Sequence, residues 1–193
     1  MPPPPKHRDA IVDAAVRLFR QKGYAATGLA DIVAASGAPK GSVYHYFPGG
    51  KAEIGAAAVR EAGRRVVETV RELSAASASA GELVKGHARL LGEWMAASGY
   101  RDGAPMTTVL LENAPADDAI TREGRAALDA WAGEVAGRLM ADGVEATRAA
   151  SLASLTLAAL DGALVQARVA QSSRPLETAA EELVALFAAA TRG

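Results

Sequence analysis

Six closely spaced residues have the chemistry needed to contact a nucleic acid. They are Lys40, Gly41, Ser42, Tyr44, His45 and Tyr46. The lysine is a point charge for a phosphate or a guanine, and the glycine lets a partner approach the backbone closely. The serine and the histidine can donate hydrogen bonds to base edges or phosphates, and the tyrosine hydroxyls can reach phosphate oxygens. The alternative is that the rings only pack a small helical bundle, but three polar-tipped rings in one short basic segment favour the contact.

Charge is distributed unevenly along the chain. The net charge is −1, but the first 65 residues carry ten Lys and Arg against five Asp and Glu, and the remainder carries eleven against seventeen. A basic N-terminal third beside an acidic remainder is typical of a small module that faces a polyanion. Chance fluctuation is the alternative explanation for the asymmetry.

The composition narrows the class of protein. The chain has 193 residues, half of them hydrophobic, and no cysteine, which excludes disulfides, iron–sulfur clusters and thiol catalysis. Alanine is abundant and aromatic residues make up 5%, so we expect an all-α fold. The N-terminus lacks the apolar stretch of a secretory signal, and residues 149–160, the longest uncharged apolar stretch, are fewer than the roughly 20 of a membrane span. We therefore expect a cytoplasmic protein with no membrane partner.

Three helices are predicted before residue 50. Apolar residues recur at helical spacing from Arg8 to Lys22, and Gly23 ends that helix. A second short helix follows, and Ser36-Gly37-Ala38 breaks it. Pro39 is predicted at the first position of a third helix, which runs to Phe47. This order is the layout of a helix-turn-helix, whose second helix enters the DNA major groove.

The third predicted helix also has an apolar side. Val43 and Phe47 are four residues apart and are predicted to point inward onto Leu18, Phe19 and Ile32. That packing would anchor the third helix on the first two.

The rest of the chain is predicted to be helical as well. A long helix runs from Lys51 to about Leu73, and the small residues from Ser74 to Gly81 are predicted to be a frayed end and a linker. Further helices are predicted at 82–98, 106–113, 119–141, 145–170 and 176–191.

These features resemble a known family. The sequence from Arg8 to Ile54 resembles the TetR family of bacterial transcriptional regulators, in the pattern Phe19-x-x-x-Gly23-Tyr24-x-x-Thr27-x-x-x-Asp31-Ile32-Val33-x-x-Ser36-Gly37-x-x-Lys40-Gly41-Ser42-Val43-Tyr44-His45-Tyr46-Phe47 and then Lys51. Two further segments are similar to the LmrA-like subgroup: Pro48-Gly49-Gly50-Lys51, and Gly103-Ala104-Pro105 followed by Leu111-Glu112, with alanine in place of the usual cysteine. The resemblance implies a helix-turn-helix DNA-binding domain over residues 1–50 and a helical ligand-binding and dimerisation domain over residues 51–193.

The resemblance also implies particular DNA contacts. Phosphate contacts are implied for Thr27, Tyr44, Tyr46 and Lys51, and base or groove contacts for Lys40, Gly41, Ser42 and His45. Gly28 stands where the family usually has serine or threonine, which leaves the phosphate contact and the helix cap there to Thr27. The segment Pro2–Arg8 is a candidate minor-groove arm through Lys6 and Arg8, although a charged tail is more often simply solvated.

The last two predicted helices have apolar faces suited to a second subunit. The helix at 145–170 is apolar almost all round, and the final helix repeats apolar residues at spacings of four and three. A helix with two apolar faces is buried on both, so one side is predicted to face a partner subunit, in a pair similar to the family's four-helix dimer interface. The alternative, a buried core within one chain, explains the second apolar face less well. The residues assigned to this interface are Leu157, Leu160, Leu164, Leu183 and Phe187.

Large apolar residues after residue 81 are candidates for an effector site. They are Trp94, Met106, Leu110 and Trp131, although such residues are more often ordinary core. Asp161 interrupts the most apolar helix, and its carboxylate needs a partner, either a hydrogen bond at the dimer interface or a cationic ligand. The implied partners are a double-stranded DNA operator, a second copy of the chain and a small apolar or amphipathic effector.

No catalytic constellation is visible in the sequence. The three histidines, at 7, 45 and 87, are far apart, and Gly49-Gly50-Lys51 is only a fragment of a phosphate-binding loop. No enzyme activity, cofactor or metal is predicted. The sequence therefore predicts a ligand-responsive repressor, with a helical small-molecule carrier that does not bind DNA as the alternative. Replacing Lys40 with glutamate separates the two, because only the repressor would lose its function.

Overall fold

The computed structural model describes residues 6–191, and this part of the chain contains nine α-helices and no strand. The helices are α1 (Lys6–Lys22), α2 (Leu29–Ser36), α3 (Lys40–Tyr46), α4 (Gly50–Ala76), α5 (Ala80–Ala97), α6 (Pro105–Asn113), α7 (Asp118–Ala141), α8 (Ala146–Ala170) and α9 (Arg174–Ala190). The predicted all-α fold is confirmed.

The turns around α2 follow from a few residues with special backbone requirements. Gly23 after α1 and Gly37 after α2 have φ angles of +86° and +64°, values that glycine adopts without steric cost. The carboxylate of Asp31 accepts a hydrogen bond from the N–H of Gly28 at 3.1 Å and so caps the start of α2. The helix α3 begins at Lys40, one residue later than the sequence predicted, and Pro39 occupies its N-cap position.

The predicted linker between α4 and α5 is shorter than expected. The helix α4 continues to Ala76, and only residues 77–79 separate it from α5. Ser79 caps α5 by accepting from the N–H of Glu82 at 3.2 Å, and the Glu82 carboxylate accepts from the N–H of Ala78 at 2.7 Å. The prediction of a frayed end over Ser74–Gly81 was wrong because this reciprocal cap stabilises the start of α5 and alanine sustains the end of α4.

The helices pack as two compact units. The first is the chain up to Arg64 together with Gly103–Ala127, and the second is Arg65–Asp102 together with the chain from Leu128 onward. The first unit therefore contains α1–α3, the start of α4, all of α6 and the start of α7. The sequence-predicted division into functional domains at residue 50 stays a prediction, and it does not coincide with the division into these two units.

The first unit has one hydrophobic core that fixes α3. Its fully buried large residues are Ile11, Phe19, Ile32, Val43, Phe47, Ile54, Val59 and Ile120. Val43 and Phe47 lie in the same cluster as Leu18, Phe19 and Ile32, as predicted. Burying an aliphatic or phenyl side chain contributes about 1.5–3 kcal/mol, so α3 is held mainly through these two residues.

The second unit is built on α9, which packs against α5 and α8. Its core contains Met95, Leu139, Leu152, Leu160 and Leu176, each at most 2% exposed. Four of the five residues assigned to a dimer interface also lie in this core, because Leu160, Leu164, Leu183 and Phe187 are all buried inside their own unit. These four side chains therefore pack within one chain, and the predicted dimer interface stays a prediction.

Among the described residues, α8 is the one helix whose length and composition would allow it to cross a membrane. Residues 149–160 are too few to span a membrane, but the helix continues past Asp161 and remains apolar enough over its full length to meet this criterion. One face of α8, including Leu152, Ala163 and Ala167, is buried against its own unit. A core helix passes the same test of length and composition.

Candidate nucleic-acid interface

The helix α3 presents opposite faces to the core and to solvent. Val43 is fully buried, whereas Lys40, Gly41, Tyr44 and His45 are exposed. Residues four apart lie on one side of a helix, so Lys40 and Tyr44 share one side of the exposed surface, and Gly41 and His45 share another. This face carries a positive charge, an imidazole and a hydroxyl in seven residues of helix. The structure therefore brings together the sequence-predicted base and phosphate donors of α3.

The turn before α3 is held by short local hydrogen bonds. The Ser36 hydroxyl donates to the carbonyl of Val33 at 2.9 Å and accepts from the N–H of Ala38 at 3.2 Å. The N–H of Ser42 donates to the carbonyl of Pro39 at 2.8 Å, which closes the first turn of α3. The guanidinium of Arg17 on α1 reaches the carbonyl of Ala35 at 3.2 Å and ties α2 to α1. These bonds set the angle at which α3 presents its outward face.

Gly41 has no packing reason to be glycine. A Cβ placed on it would meet no atom within 4 Å, and its φ is not positive. A glycine in a helix costs about 0.5–1 kcal/mol relative to alanine. The open backbone at Gly41 is thus a cost to the fold, and it fits the predicted close approach of a partner molecule.

The two rings at the end of α3 differ in exposure. Tyr44 is 62% exposed and extends into solvent. Tyr46 is half-buried against the core of the first unit, and its ring meets that of His45 edge to face at 4.8 Å between centroids. Tyr46 thus orients His45 as well as offering a hydroxyl.

Lys51, at the start of α4, lies against the turn between α1 and α2. Its Nζ is 4.3 Å from the centroid of the Tyr24 ring and donates to the carbonyl of Ala25 at 3.4 Å. Burial, and then the charges of Asp117 and Glu112, raise the pKa of the Tyr24 hydroxyl, so the ring stays neutral beneath the ammonium. The lysine charge therefore has a defined position beside the turn, as a phosphate contact requires.

Thr27 does not face a partner. Its side chain is fully buried, and its hydroxyl donates to the carbonyl of Gly23 at 2.7 Å. The implied phosphate contact and cap were wrong for this hydroxyl, because it closes the α1–α2 turn from inside and Asp31 caps α2 instead.

The predicted minor-groove arm is only partly within the described chain. Residues 2–5 and the side chain of Lys6 lie outside the described residues. Residues 6–8 form the first turn of α1 instead of an extended arm, and the guanidinium of Arg8 lies 5.5 Å from the centroid of the Phe47 ring. The tertiary contact with Phe47 holds Arg8 against the end of α3.

The position of one residue of this unit, Glu112, could not be predicted from the spacing of residues in the sequence. The Glu112 carboxylate on α6 accepts hydrogen bonds from the N–H groups of Tyr24 and Ala25, at 3.0 Å and 2.6 Å. The partners are 87 and 88 residues apart in sequence, so no local pattern indicates the contact. The only hint was that Glu112 forms part of a segment similar to the LmrA-like subgroup.

The residues predicted for an effector site are divided between the two units. Met106 and Leu110 pack against the core of the first unit. Trp94, Trp131 and Asp161 belong to the second, where Trp131 is buried and the other two are half-buried. The buried residues pack as ordinary core, and the effector site stays a prediction.

Trp131 has an unusual polar environment. Its indole N–H is buried and has no hydrogen-bond partner among the described residues. Its ring meets that of His87 at 5.7 Å between centroids. Burial lowers the pKa of His87 to about 4, so the imidazole is neutral at pH 7. The second unit thus contains a buried donor that lacks an acceptor, next to a neutral imidazole.

Between residues 6 and 191, no three His, Asp or Glu side chains are grouped so that they could hold a metal ion.

The chain matches two protein-family models. Residues 11–65 match the model of bacterial regulatory proteins of the TetR family, and residues 80–182 match the C-terminal domain of LmrA/YxaF-like transcriptional regulators. The two matches cover most of the two segments to which the sequence assigned separate functions.

Curated relatives extend over nearly the whole chain. An uncharacterized HTH-type transcriptional regulator of Mycobacterium tuberculosis is 32% identical over 181 residues, which cover 91% of each chain. The HTH-type transcriptional regulator LmrA of Bacillus subtilis is 28% identical over 169 residues, which cover 88% of this chain and 90% of LmrA.

The fold is also similar to that of solved structures. The regulatory protein TetR from Rhodobacter sphaeroides has a TM-score of 0.79 at 22% identity, covering 91% of this chain and 96% of that one. The reduced form of Escherichia coli NemR has a TM-score of 0.77 at 19% identity, covering 92% and 94%.

Proposed function

The chain belongs to the TetR family of bacterial transcriptional regulators, and from this premise we propose that it is a dimeric repressor released from DNA by an effector. Two copies bind a near-palindromic operator in the cytoplasm, and a small apolar or amphipathic molecule lowers their affinity for it. The family is one of transcriptional regulators, not of enzymes.

The observation that carries the proposal is the free outward face of α3. Val43 and Phe47 attach the helix to the core, so Lys40, Gly41, Tyr44 and His45 have no role in that core and are available to a partner. The exposed lysine suits a phosphate or a guanine, and the bare glycine backbone suits close approach to a groove. A helix-turn-helix uses its second helix in this way.

An exposed apolar stripe supports the dimer. Along α8, residues Leu155, Ala158, Gly162, Val165 and Val169 follow each other at spacings of three and four and are all exposed. Val165 is 64% and Val169 82% exposed, values that are costly for valine in water. A second copy of the chain is the proposed cover for this stripe, because a two-fold axis matches the same surface on both subunits. The spacing of three and four residues suits helix against helix.

A dimer of this kind also fits the geometry of DNA. Two recognition helices about 34–36 Å apart read half-sites one helical turn apart in a near-palindrome. An effector that binds better to a conformation with another separation lowers the affinity for DNA, and DNA lowers the affinity for the effector by the same factor.

Within the second unit, Trp131 supports an effector that carries a hydrogen-bond acceptor. Its buried indole N–H lacks a partner, and a buried donor without an acceptor costs about 1–3 kcal/mol. A carbonyl or ether oxygen on an otherwise apolar molecule would satisfy it. The neighbouring His87 is neutral at pH 7, so its side chain is compatible with an apolar ligand.

The test is a selection of DNA by the protein itself. A random pool of duplexes is enriched for those that bind the full-length protein. The affinity of the protein for the most enriched duplex is then measured by fluorescence anisotropy over a range of salt concentrations. We expect an enriched near-palindrome, tight binding, and a steep fall of affinity with salt because counterions are released. The variant Lys40→Glu should abolish this binding, whereas Lys85→Glu, a matched exposed lysine on α5, should retain it.

Two results would count against the proposal. Enrichment of no sequence by a folded protein would favour the carrier function instead. Equal binding by wild type and Lys40→Glu would remove α3 from the interface.

A further inference from the structure

The turn between α1 and α2, residues 23–28, is held at its backbone by a residue from a distant helix. The two oxygens of the Glu112 carboxylate accept separately from the N–H groups of Tyr24, at 3.0 Å, and Ala25, at 2.6 Å. Hydrogen bonds to an ionised acceptor are stronger than neutral ones. One exposed side chain of α6 thus fixes two successive peptide units of the helix-turn-helix module.

Gly23 is what makes room for this carboxylate. A Cβ on Gly23 would lie 2.8 Å from the Glu112 Oε1, closer than real Cβ contacts allow. The φ of +86° independently requires glycine at this position. The backbone at the end of α1 is therefore shaped so that a carboxylate can approach it.

The opposite side of the same turn holds the charge of Lys51. The carbonyl of Ala25 accepts from the Lys51 ammonium at 3.4 Å, while the N–H of Ala25 donates to Glu112. The Tyr24 ring lies under the ammonium and packs over Gly55 of α4, where a Cβ would be 2.9 Å from it. The turn thus contacts both Glu112 and Lys51, through the backbone of residues 24 and 25 and the Tyr24 ring.

We propose that Glu112 is a positioning residue for DNA binding: from α6 it clamps the α1–α2 turn and so fixes the Lys51 ammonium beside it. The inference rests on the proposed DNA-binding function. The direction of the change in DNA affinity on neutralising Glu112 tests the inference, because a carboxylate in a DNA-binding unit repels phosphates. If Glu112 were only a surface charge, neutralising it would strengthen DNA binding, whereas loss of a clamp weakens it.

The experiment compares three variants with wild type on the selected duplex. Glu112→Gln keeps the shape but has one acceptor oxygen instead of two, and Glu112→Asp keeps the charge but is shorter. Asp118→Asn removes an exposed carboxylate elsewhere in the first unit and is the matched charge control. We expect Glu112→Gln to bind about tenfold more weakly, Glu112→Asp to fall between it and wild type, and Asp118→Asn to bind as well as wild type or slightly better.

A second readout follows the clamp without DNA. The amide proton resonances of Tyr24 and Ala25, measured by NMR at pH 7, should lie downfield in wild type because both N–H groups donate to a carboxylate. In Glu112→Gln both resonances should move upfield. Circular dichroism checks that each variant is folded, and thermal melting separates a loss of affinity from a loss of the folded state.

The outcomes distinguish this inference from the function it rests on. Unchanged or tighter DNA binding by Glu112→Gln overturns the positioning role. Amide resonances of Tyr24 and Ala25 that do not shift in this variant overturn it as well. If wild type binds no duplex, the DNA-binding function itself has failed and the positioning role fails with it. The amide shifts still show in that case whether the clamp exists.

Discussion

The ammonium nitrogen of Lys51 lies 4.3 Å from the centroid of the Tyr24 ring, with the Tyr24 backbone held by Glu112 and its ring packed near that of Phe19 at 5.1 Å. A cation over an aromatic face is attracted by about 0.5–1 kcal/mol at an exposed site. The aromatic ring at position 24 therefore orients a charge that belongs to another helix.

Replacing Tyr24 with leucine should weaken binding to the selected duplex a few-fold, because the ammonium of Lys51 loses the face on which it rests. Tyr24→Phe keeps the face and loses only the hydroxyl, so it should bind nearly as well as wild type. Fluorescence anisotropy at two salt concentrations makes the comparison. Equal loss in both variants would assign the effect to the hydroxyl instead of the ring.

Gly41 is expected to trade stability for DNA affinity. Gly41→Ala should raise the free energy of unfolding by about 0.5 kcal/mol, since alanine favours helix and a Cβ meets nothing within 4 Å. The same methyl group should lower DNA affinity by obstructing close approach to the backbone. Gly133→Ala on α7, where a Cβ also meets nothing, is the control: it should stabilise the fold and leave DNA binding unchanged. Urea denaturation and anisotropy measure the two effects, and undiminished affinity in Gly41→Ala would count against close approach at this site.

His87 should make the stability depend on pH. Its pKa is lowered by burial from 6.5 to about 4, so between these values the unfolded chain binds more protons than the folded one. The contribution of this group to the free energy of unfolding is therefore fully present above pH 6.5. It falls by about 3 kcal/mol as the pH is lowered toward 4. In His87→Gln the free energy of unfolding should lose this dependence on pH, whereas His7→Gln, at an exposed position, should keep it. Urea denaturation from pH 4 to 7.5 tests this, and identical slopes in all three proteins would contradict it.

The exposed stripe of α8 should control the oligomeric state. Val165→Glu places a charge on the proposed interface and should give a folded monomer in sedimentation velocity, with DNA binding lost as a consequence. Met140→Glu, on a partly exposed apolar residue of α7, is the matched control and should leave the dimer intact. Leu160→Ala should instead lower the free energy of unfolding by about 2–5 kcal/mol, because that side chain is 2% exposed within its own unit. A dimer that survives Val165→Glu would rule out this stripe.

Local sequence signals were enough to predict the nine helices found between residues 6 and 191 and the two faces of α3. Helical spacing, caps and glycine turns act over three or four residues, so Val43 and Phe47 can be assigned to the core and Lys40 and Tyr44 to the outside without knowing their partners. The same reasoning identified Gly23 and Gly37 as helix ends, because a positive φ is a property of one residue.

Only the tertiary structure decided which distant surfaces meet. Apolar spacing in α8 and α9 indicates burial but not by what, so Leu160, Leu183 and Phe187 were assigned to a partner when they pack within their own chain. The Thr27 hydroxyl is turned inward by its bond to Gly23, and Glu112 finds its partners 87 and 88 residues away. Contacts of this kind depend on how helices pack against each other, and a pattern with a period of a few residues carries no information about them.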